Sequence, residues 1–354
     1  MFPFDIKPEA AAKEMNQYYK QLAAGMKTLS ELGPISEGIS AKEPAYEEDK
    51  VVLYHYTPRV EKPHGIPVLV IYALVNRPYV ADMQEDRSLI RGLLDQGLDV
   101  YIIDWGYPDA SDRYQELDDH INGYIRRCVD FICARYDLPK INILGICQGG
   151  TFSICFTSLY PEKVKNLVTV VTPVDFHGGK NVLGSWGKDL DVDLIVDTVG
   201  NVSGDLLNFT FLSMSPFRLT GQKYLDMIPV LEKPTEMMNF LRMEKWIFDS
   251  PDQPGETFRQ FVKDFFQDNK LIKGEVRIGG KRVDMKNITM PIFNVFATKD
   301  HLVPPPASQA LGKYSASKDY SEFPFKGGHI GIFTSGRSMQ EVPPAIATWI
   351  KAHG

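Results

Sequence analysis

The sequence predicts an α/β fold in which a mostly parallel sheet carries helices on both faces. Three observations predict it. Short apolar runs typical of buried strands alternate with helical patterns from Val51 to Asp175. The same alternation returns after residue 289. Residues 176–288 lack it and are rich in Met, Phe, Asn and Pro, which indicates one long insertion in a single sheet.

The first 40 residues carry a separate helical pattern. It extends over Glu9–Leu32 and ends at Gly33-Pro34. The predicted organisation is therefore an N-terminal helical segment at 1–40, a core domain at 41–175 and 289–354, and a cap formed by the insertion at 176–288.

Each element of the core follows from a local pattern. Apolar or alternating runs predict the strands Val51–Tyr56, Val68–Tyr72, Val100–Ile103, Ile141–Leu144, Leu167–Val171, Pro291–Ala297 and Tyr320–Phe323. Amphipathic patterns predict the helices Ser88–Gln96, Leu117–Tyr136, Ala307–Tyr314 and Pro344–Lys351. A further helix is predicted directly after the strand that ends at Leu144.

Composition and charge exclude several functional classes. Net charge is −6, so no basic surface for nucleic acid is expected. The longest apolar run, Ile66–Val75, is half of the roughly 20 residues that a bilayer span needs. The first residues carry charges where a secretory signal would be apolar, and four cysteines make no disulfide framework. We therefore expect a reduced, cytoplasmic setting without membrane spans.

Three of the four cysteines have structural patterns. Cys128 lies on the apolar stripe of the helix predicted at Leu117–Tyr136, and Cys155 belongs to an apolar stretch. Cys133 lies off that stripe, but buried cysteines are usually inert, and we interpret all three as structural. Cys147 stands in a different context.

Cys147 occupies a nucleophile elbow. The stretch LGICQGGT follows a predicted buried strand and begins a helix, which is the turn of the α/β-hydrolase fold with Cys in place of Ser. The sharp turn requires small neighbours, here Gly145 and Gly149. The positive end of the helix dipole favours a thiolate at Cys147. The alternative interpretation is a glycine-rich turn around a buried cysteine.

The acid and the base of a catalytic triad follow in the expected order. In this fold the acid and then the histidine come after the nucleophile, each on a loop after a later strand. Asp300 follows the predicted strand Pro291–Ala297, and His329 follows Tyr320–Phe323 within a GGHIG stretch. We therefore predict Cys147, Asp300 and His329 as the triad.

Other histidines and acids could take these roles. His177 opens the insertion and could reach the site, but no strand end places it. His301 adjoins Asp300, and neighbouring loop residues rarely point at each other. Asp104 and Asp175 also follow strands and could support the site, although loop hydrogen bonding would explain them as well. The remaining histidines are expected at the surface, namely His55, His64, His120 and His353.

Two backbone amides are candidates for an oxyanion hole. The N–H of Gln148 follows the nucleophile directly. The second donor should come from the loop after Val68–Tyr72, where we select the amide of Val75. No metal-ligand spacing and no glycine-rich phosphate loop is present in the sequence, so we expect no metal and no cofactor.

Cysteine in place of serine favours acyl transfer between thiols. Attack on a thioester by a thiolate exchanges one thioester for another of similar energy, so the acyl group stays activated for transfer to a hydroxyl. A cap would exclude water that would otherwise hydrolyse it. Hydrolases of this fold can also use cysteine. A thioesterase or esterase therefore remains an alternative, as does a non-catalytic scaffold protein, which would have no need for the triad.

Longer stretches carry a family resemblance. They are VIYALVNRPY at 70–79, YIIDWGYPD at 101–109, GICQGGT at 145–151, RMEKWIFDSPDQPGETFRQFVKDF at 242–265, KDHLVPP at 299–305 and GGHIG at 327–331. Together with the MFPFDI start they resemble the catalytic subunit of class III polyhydroxyalkanoate synthases. Class I and II enzymes resemble the core but carry a long additional N-terminal domain, and class IV enzymes match less well in the cap.

The resemblance implies an activity and partners that the residue patterns alone do not. The substrate would be an (R)-3-hydroxyacyl-CoA such as 3-hydroxybutyryl-CoA, and the product a polyester with release of CoA. Cys147 would carry the acyl chain, His329 would deprotonate the thiol, and Asp300 would help to activate the incoming 3-hydroxyl. The resemblance also implies a second, non-catalytic subunit, an oligomer, and cytoplasmic polyester granules on which the enzyme acts.

Overall fold

Eight strands form the central sheet. A computed structural model describes residues 13, 31, 33–36, 38–180, 182–214 and 216–354. The strands are β1 Lys42–Glu48, β2 Val51–Tyr56, β3 Val68–Ile71, β4 Val100–Asp104, β5 Ile141–Ile146, β6 Val164–Val170, β7 Ile292–Ala297 and β8 Tyr320–Phe325. Their order is β1-β2-β4-β3-β5-β6-β7-β8, and the six strands from β4 to β8 run parallel. The predicted mostly parallel sheet is confirmed.

The first strand is one that the sequence analysis does not predict. The prediction places the first strand at Val51–Tyr56, whereas Lys42–Glu48 precedes it and pairs with it antiparallel at the edge of the sheet. Its sequence, KEPAYEE, is charged and contains a proline, and none of its residues is fully buried. Such residues are tolerated at an edge because only one side of the strand is paired.

Helices connect and cover the strands. The α-helices are α1 Leu89–Asp95, α2 Arg126–Tyr136, α3 Gln148–Leu159, α4 Val182–Asp189, α5 Val192–Val199, α6 Gly204–Ser213, α7 Lys223–Met227, α8 Pro234–Phe248, α9 Gly255–Phe261, α10 Lys270–Lys273, α11 Pro305–Tyr314, α12 Gly331–Thr334 and α13 Gly336–Ala352. Every residue of β3, β5 and β7 is buried, so both faces of the sheet are covered. The N-terminal helix predicted at Glu9–Leu32 lies largely outside the described residues.

The predicted helix at Leu117–Tyr136 has two parts. Residues Asp119–Ile125 form a π-helical segment that continues directly into α2. Short 3₁₀ segments lie at Pro78–Ala81, Ala110–Tyr114, Pro161–Lys163, Ile228–Val230 and Met285–Asn287. Two further π-helical segments are Phe217–Gln222 and Val262–Gln267, and two-stranded ribbons pair Asp82–Gln84 with Arg87–Ser88 and Arg277–Ile278 with Lys281–Arg282.

Part of the predicted insertion packs into the same core as the sheet. The chain divides into two compact units, one comprising Gly38–Leu207 with Asp249–Gly354 and the other Asn208–Phe248 with the N-terminal residues to Glu37. Within the first unit, Phe261 from α9 packs edge-on against Phe152 of α3, with ring centroids 6.0 Å apart. The boundaries of the predicted cap stay a prediction.

Phe265 is expected to be a main support of this packing. Its side chain is fully buried and stacks against Phe261, with centroids 4.8 Å apart. We expect Phe265→Ala to lower the free energy of unfolding by about 3–5 kcal/mol, because a large buried ring leaves a cavity when it is truncated. Urea unfolding measures this change. Phe217→Ala is the control, since Phe217 is 91% exposed and its loss should change stability by less than about 0.5 kcal/mol.

Candidate active site

Cys147 lies on a strained turn between β5 and α3. Its backbone has φ 52° and ψ −123°, a region that non-glycine residues rarely adopt. The Cys147 N–H donates to the Val170 carbonyl oxygen at 2.9 Å, and the Cys147 carbonyl oxygen accepts from the Gly150 N–H at 2.9 Å. The side chain is half-buried at the N-terminus of α3. This is the geometry of a nucleophile elbow.

The elbow glycines allow close approach of backbone and side chains. A Cβ at Gly145 would collide with the Ser153 side chain and the Gly150 backbone. A Cβ at Gly149 would collide with the carbonyl oxygens of Ile71 and Tyr72, at the end of β3. The turn therefore excludes larger residues at both predicted positions.

Gly150 is a third glycine of the elbow, which the sequence analysis does not select. A Cβ there would collide with the Thr172 side chain, in the loop after β6. The second glycine of the QGG stretch was the available signal. The elbow template specifies only two glycines, and the need for a third depends on a side chain more than 20 residues away in sequence.

His329 and Asp300 form a buried pair. The His329 Nδ1 lies 2.7 Å from the Asp300 Oδ2, and both residues are buried. The other carboxylate oxygen of Asp300 accepts the backbone N–H groups of Leu302 and Val303, each at 2.9 Å. These bonds fix the carboxylate, and the side chain of Asp300 has no exposed surface. Asp300 can therefore orient the imidazole but presents no free face to a ligand.

Cys147 lies close enough to the His329 imidazole to affect its pKa. Burial lowers the pKa of His329, but the negative charges of Asp300 and of a Cys147 thiolate, with the hydrogen bond to Asp300, raise it to about 10. The electrostatics therefore favour a protonated His329 imidazole at neutral pH. The three predicted triad residues are brought together in one site.

This pKa shift makes stability depend on alkaline pH. The folded chain keeps a proton on His329 that the unfolded chain releases above about pH 6.5. The stabilising contribution is therefore complete below about pH 6.5 and is lost as the pH rises through about 10. We expect Cys147→Ala to reduce this alkaline loss, because one of the two negative charges that hold the proton is removed.

Urea midpoints of both proteins between pH 6 and pH 10.5 measure this effect. The decrease with rising pH should be smaller in Cys147→Ala than in the wild type. Equal decreases in the two proteins would show that the thiolate does not hold the proton on His329.

The two predicted oxyanion donors lie on α3 and on the loop after β3, which a hydrogen bond from Leu74 to Gln148 joins. Gln148 is the first residue of α3, so its N–H has no partner within the helix. Among the described residues, neither this N–H nor that of Val75 donates to another backbone group. The neighbouring Leu74 N–H, in contrast, donates to the Gln148 Oε1 at 3.0 Å. Of these two adjacent loop amides, that of Val75 is therefore the one left available.

The loop that carries Val75 is fixed on its other side. Asn76 adopts a left-handed conformation with φ 58°, and its side-chain amide donates to the Ser250 Oγ at 3.1 Å. Arg77 donates to the Asp104 carboxylate at 2.8 Å and to the Gly106 carbonyl oxygen at 2.9 Å. Asp104, the last residue of β4, thus supports the loop rather than contributing to the triad.

Tyr72 is a buried residue whose pKa is affected by Cys147. Tyr72 is buried at the end of β3, and burial, with a contribution from the negative charge of Cys147, raises its pKa. The sequence analysis does not select Tyr72, because it stands inside a continuously apolar run.

The competing histidines and acids have other partners. The His177 Nε2 lies 2.8 Å from the Phe266 carbonyl oxygen, and Asp175 accepts the His177 N–H at 3.0 Å. His301 is exposed. The expectation that His120 lies at the surface is wrong. It is 3% exposed, beside Trp105, and its Nδ1 lies 2.9 Å from the Glu116 carbonyl oxygen, because the π-helical segment turns it inward.

The other cysteines differ from Cys147 in their surroundings. Cys128, Cys133 and Cys155 are buried. Burial raises the pKa of Cys128 to about 12 and also raises the pKa values of Cys133 and Cys155. These thiols are therefore protonated at neutral pH and are poor nucleophiles.

The described residues offer neither a metal site nor a membrane span. No group of three or more His, Cys, Asp or Glu side chains there is arranged to hold a metal ion. No helix in the described part of the chain is both long enough and apolar enough to span a bilayer.

Solved structures agree on the fold. A monoacylglycerol lipase from Paleococcus ferrophilus is 17% identical, with a TM-score of 0.52 over 83% of this chain and 96% of its own. A bromoperoxidase from Bacillus anthracis is 14% identical, with a TM-score of 0.52 over 88% of this chain and 100% of its own. At these identities the likeness shows the fold alone.

Similarity in sequence is much closer to one group of proteins. A family model described as alpha/beta hydrolase fold matches residues 66–335. The poly(3-hydroxyalkanoate) polymerase subunit PhaC of Thiocystis violacea is 56% identical over 99% of both chains. The subunits of the same name from Allochromatium vinosum and from a Synechocystis strain are 55% and 51% identical, each over 99% of this chain and 99% and 96% of their own. The chain belongs to the family of poly(3-hydroxyalkanoate) polymerase subunits with the alpha/beta hydrolase fold, as the sequence resemblance predicts.

Proposed function

We propose that this protein polymerises (R)-3-hydroxyacyl-CoA, with 3-hydroxybutyryl-CoA as the expected monomer, into a polyester and releases CoA. The observation that carries the proposal is the buried, hydrogen-bonded pair of His329 and Asp300 beside Cys147 on its elbow, in a member of a polymerase family. No metal and no cofactor is needed, because the CoA thioester is itself the activated substrate.

The first step is acylation of Cys147. The thiolate attacks the thioester carbonyl, the sulfur–carbon bond forms, and the negative charge moves to the carbonyl oxygen. The N–H groups of Gln148 and Val75 are the proposed donors to this oxyanion. When the carbonyl reforms, the bond to the CoA sulfur breaks, and the proton on His329 can pass to the leaving thiolate.

The second step extends the chain. His329, now neutral, accepts the proton of the 3-hydroxyl of an acyl unit, and that oxygen attacks the thioester on Cys147. An ester bond forms, the bond from carbon to the Cys147 sulfur breaks, and the thiolate and the protonated imidazole are restored. Asp300 supports this step through His329, because its charge makes the imidazole a stronger base.

Retention of the acyl group requires that water be kept from the thioester. The predicted cap would serve this purpose, and residues 249 and 250 within it bond to Asn76, Tyr79 and Tyr107. Asp249 accepts the phenol hydroxyls of Tyr79 and Tyr107, at 3.0 Å and 2.6 Å, and Ser250 accepts from Asn76. These contacts hold residues 249 and 250 against the loop that carries Val75, and in the proposal the cap keeps water from the thioester.

Partners and location follow from the resemblance and are part of the proposal. We expect a second, non-catalytic subunit, assembly into an oligomer, and work at the surface of polyester granules in the cytoplasm. We expect no nucleic acid among the partners, and no helix in the described residues could span a membrane.

Product analysis tests the function. The purified chain, with and without its partner subunit, is incubated with 3-hydroxybutyryl-CoA while free CoA and product size are followed together. We expect CoA release coupled to high-mass polyester. Release of CoA with only free 3-hydroxybutyrate would identify a thioesterase, and an absence of turnover even with the partner subunit would reject the polymerase.

A further inference from the structure

We propose that the side chain of Gln148 is a positioning residue that aligns the two halves of the oxyanion hole. The inference rests on the proposed function, because it concerns the oxyanion formed when Cys147 attacks a thioester. One residue would then supply one donor through its backbone and hold the second donor in place through its side chain.

The supporting contact is direct. The Gln148 Oε1 accepts the N–H of Leu74 at 3.0 Å across 74 positions of sequence, and both residues are buried. Leu74 immediately precedes Val75, so only the φ and ψ of Leu74 separate the peptide plane held by this bond from the plane that carries the Val75 N–H. A buried hydrogen bond of this kind joins the first turn of α3 to the loop after β3.

The contact also leaves the Val75 N–H, and not the Leu74 N–H, available to the developing charge. With the Leu74 N–H bound to Gln148, and Asn76 held through Ser250 on the other side, Val75 is bracketed by two fixed residues. Loss of the Gln148 side chain would leave the Leu74 N–H without its acceptor. The loop could then rotate to satisfy that group, which would turn the Val75 N–H away from the developing charge.

A purely structural role would have a different signature, and the chain offers a matched control. The Gln260 Oε1 accepts the N–H of Leu117 at 2.8 Å across 143 positions, which is the same contact in a place that the proposed site does not use. If such contacts only stabilise the fold, removal of either glutamine side chain should change the acylation and alkylation rates of Cys147 to the same extent.

The experiment compares two reactions of Cys147 in Gln148→Met and Gln260→Met. Acylation by 3-hydroxybutyryl-CoA, measured as CoA release in a single turnover at saturating substrate, passes through an oxyanion. Alkylation by iodoacetamide forms a carbon–sulfur bond and releases iodide, with no oxyanion, and reports on the thiolate and on the fold around it. Gln148→Asn, which keeps a buried amide but is one methylene shorter, is the second variant if Gln148→Met does not fold.

We expect acylation to slow by about 10- to 100-fold in the Gln148 variants, since complete loss of an oxyanion donor costs about 10²–10³ in rate. Alkylation should stay within about twofold of wild type, and Gln260→Met should leave both rates within about twofold. Equal losses in both reactions, or no loss in either, would overturn the inference. Wild-type acylation without polymer would overturn the proposed function and leave this comparison valid.

Discussion

Cys147→Ala is expected to lower the rate of CoA release from 3-hydroxybutyryl-CoA by at least about 10⁴-fold. Without the thiolate no covalent intermediate can form, and the remaining oxyanion donors can only assist slow attack by water. Cys133→Ala is the control, because Cys133 is the least buried of the other cysteines and should retain wild-type activity. A loss of similar size in Cys133→Ala would contradict the assignment.

Cys147→Ser adds a chemical signature to this result. Any acyl group that it accepts would be held as an oxygen ester, which neutral hydroxylamine cleaves far more slowly than the thioester of the wild type. We expect a trapped acyl-enzyme to lose its acyl group in hydroxylamine only when residue 147 is cysteine, as measured by intact-protein mass. A hydroxylamine-sensitive adduct in Cys147→Ala would show that a residue other than Cys147 carries the acyl group.

Asp300→Asn is expected to lower chain elongation by about 10³–10⁴-fold and to affect the first acylation less. The asparagine can still accept from the Leu302 and Val303 amides, so the loop should keep its shape. Its NH₂ group would face the His329 Nδ1, which disfavours the tautomer that the carboxylate holds, and its lost charge weakens the base. Elongation must deprotonate a hydroxyl, whereas acylation starts from a thiolate and expels a thiolate.

Rapid-quench measurement separates the two steps. The first burst of CoA reports acylation, and the later growth of polymer reports elongation. An equal decrease in the rates of acylation and elongation would mean that Asp300 acts only on the nucleophile, Cys147. A circular dichroism spectrum and an unfolding midpoint close to those of the wild type would exclude a loss caused by misfolding.

Most of the fold could be predicted because the strands that build the sheet are buried on both faces. Strands β3, β4, β5 and β7 are continuous or nearly continuous apolar runs, and their predicted limits agree with the structure to within two residues. Strand β1 could not be predicted in this way, since an edge strand needs little apolar surface. Local sequence patterns therefore identify the central strands of the sheet better than its edge strand.

The site was predictable for a different reason. A strand–turn–helix template fixes where the nucleophile must stand, and chain order then fixes Asp300 and His329. The template says nothing about contacts between distant segments. The side-chain bond from Gln148 to Leu74, the collision that excludes a side chain at Gly150, and the ion pair of Arg77 with Asp104 all join residues far apart in sequence. Patterns of neighbouring residues therefore cannot predict these contacts.

The backbone conformation of Cys147 implies a conflict between the thermal stability and the catalytic activity of this chain. A non-glycine residue held at φ 52° and ψ −123° costs about 1–3 kcal/mol, and glycine would adopt the same turn with less strain. The most heat-resistant sequence for this turn is therefore one that cannot catalyse. Directed evolution that selects for thermal tolerance alone would drift toward stable proteins without a thiol, so any such screen must include turnover at every round.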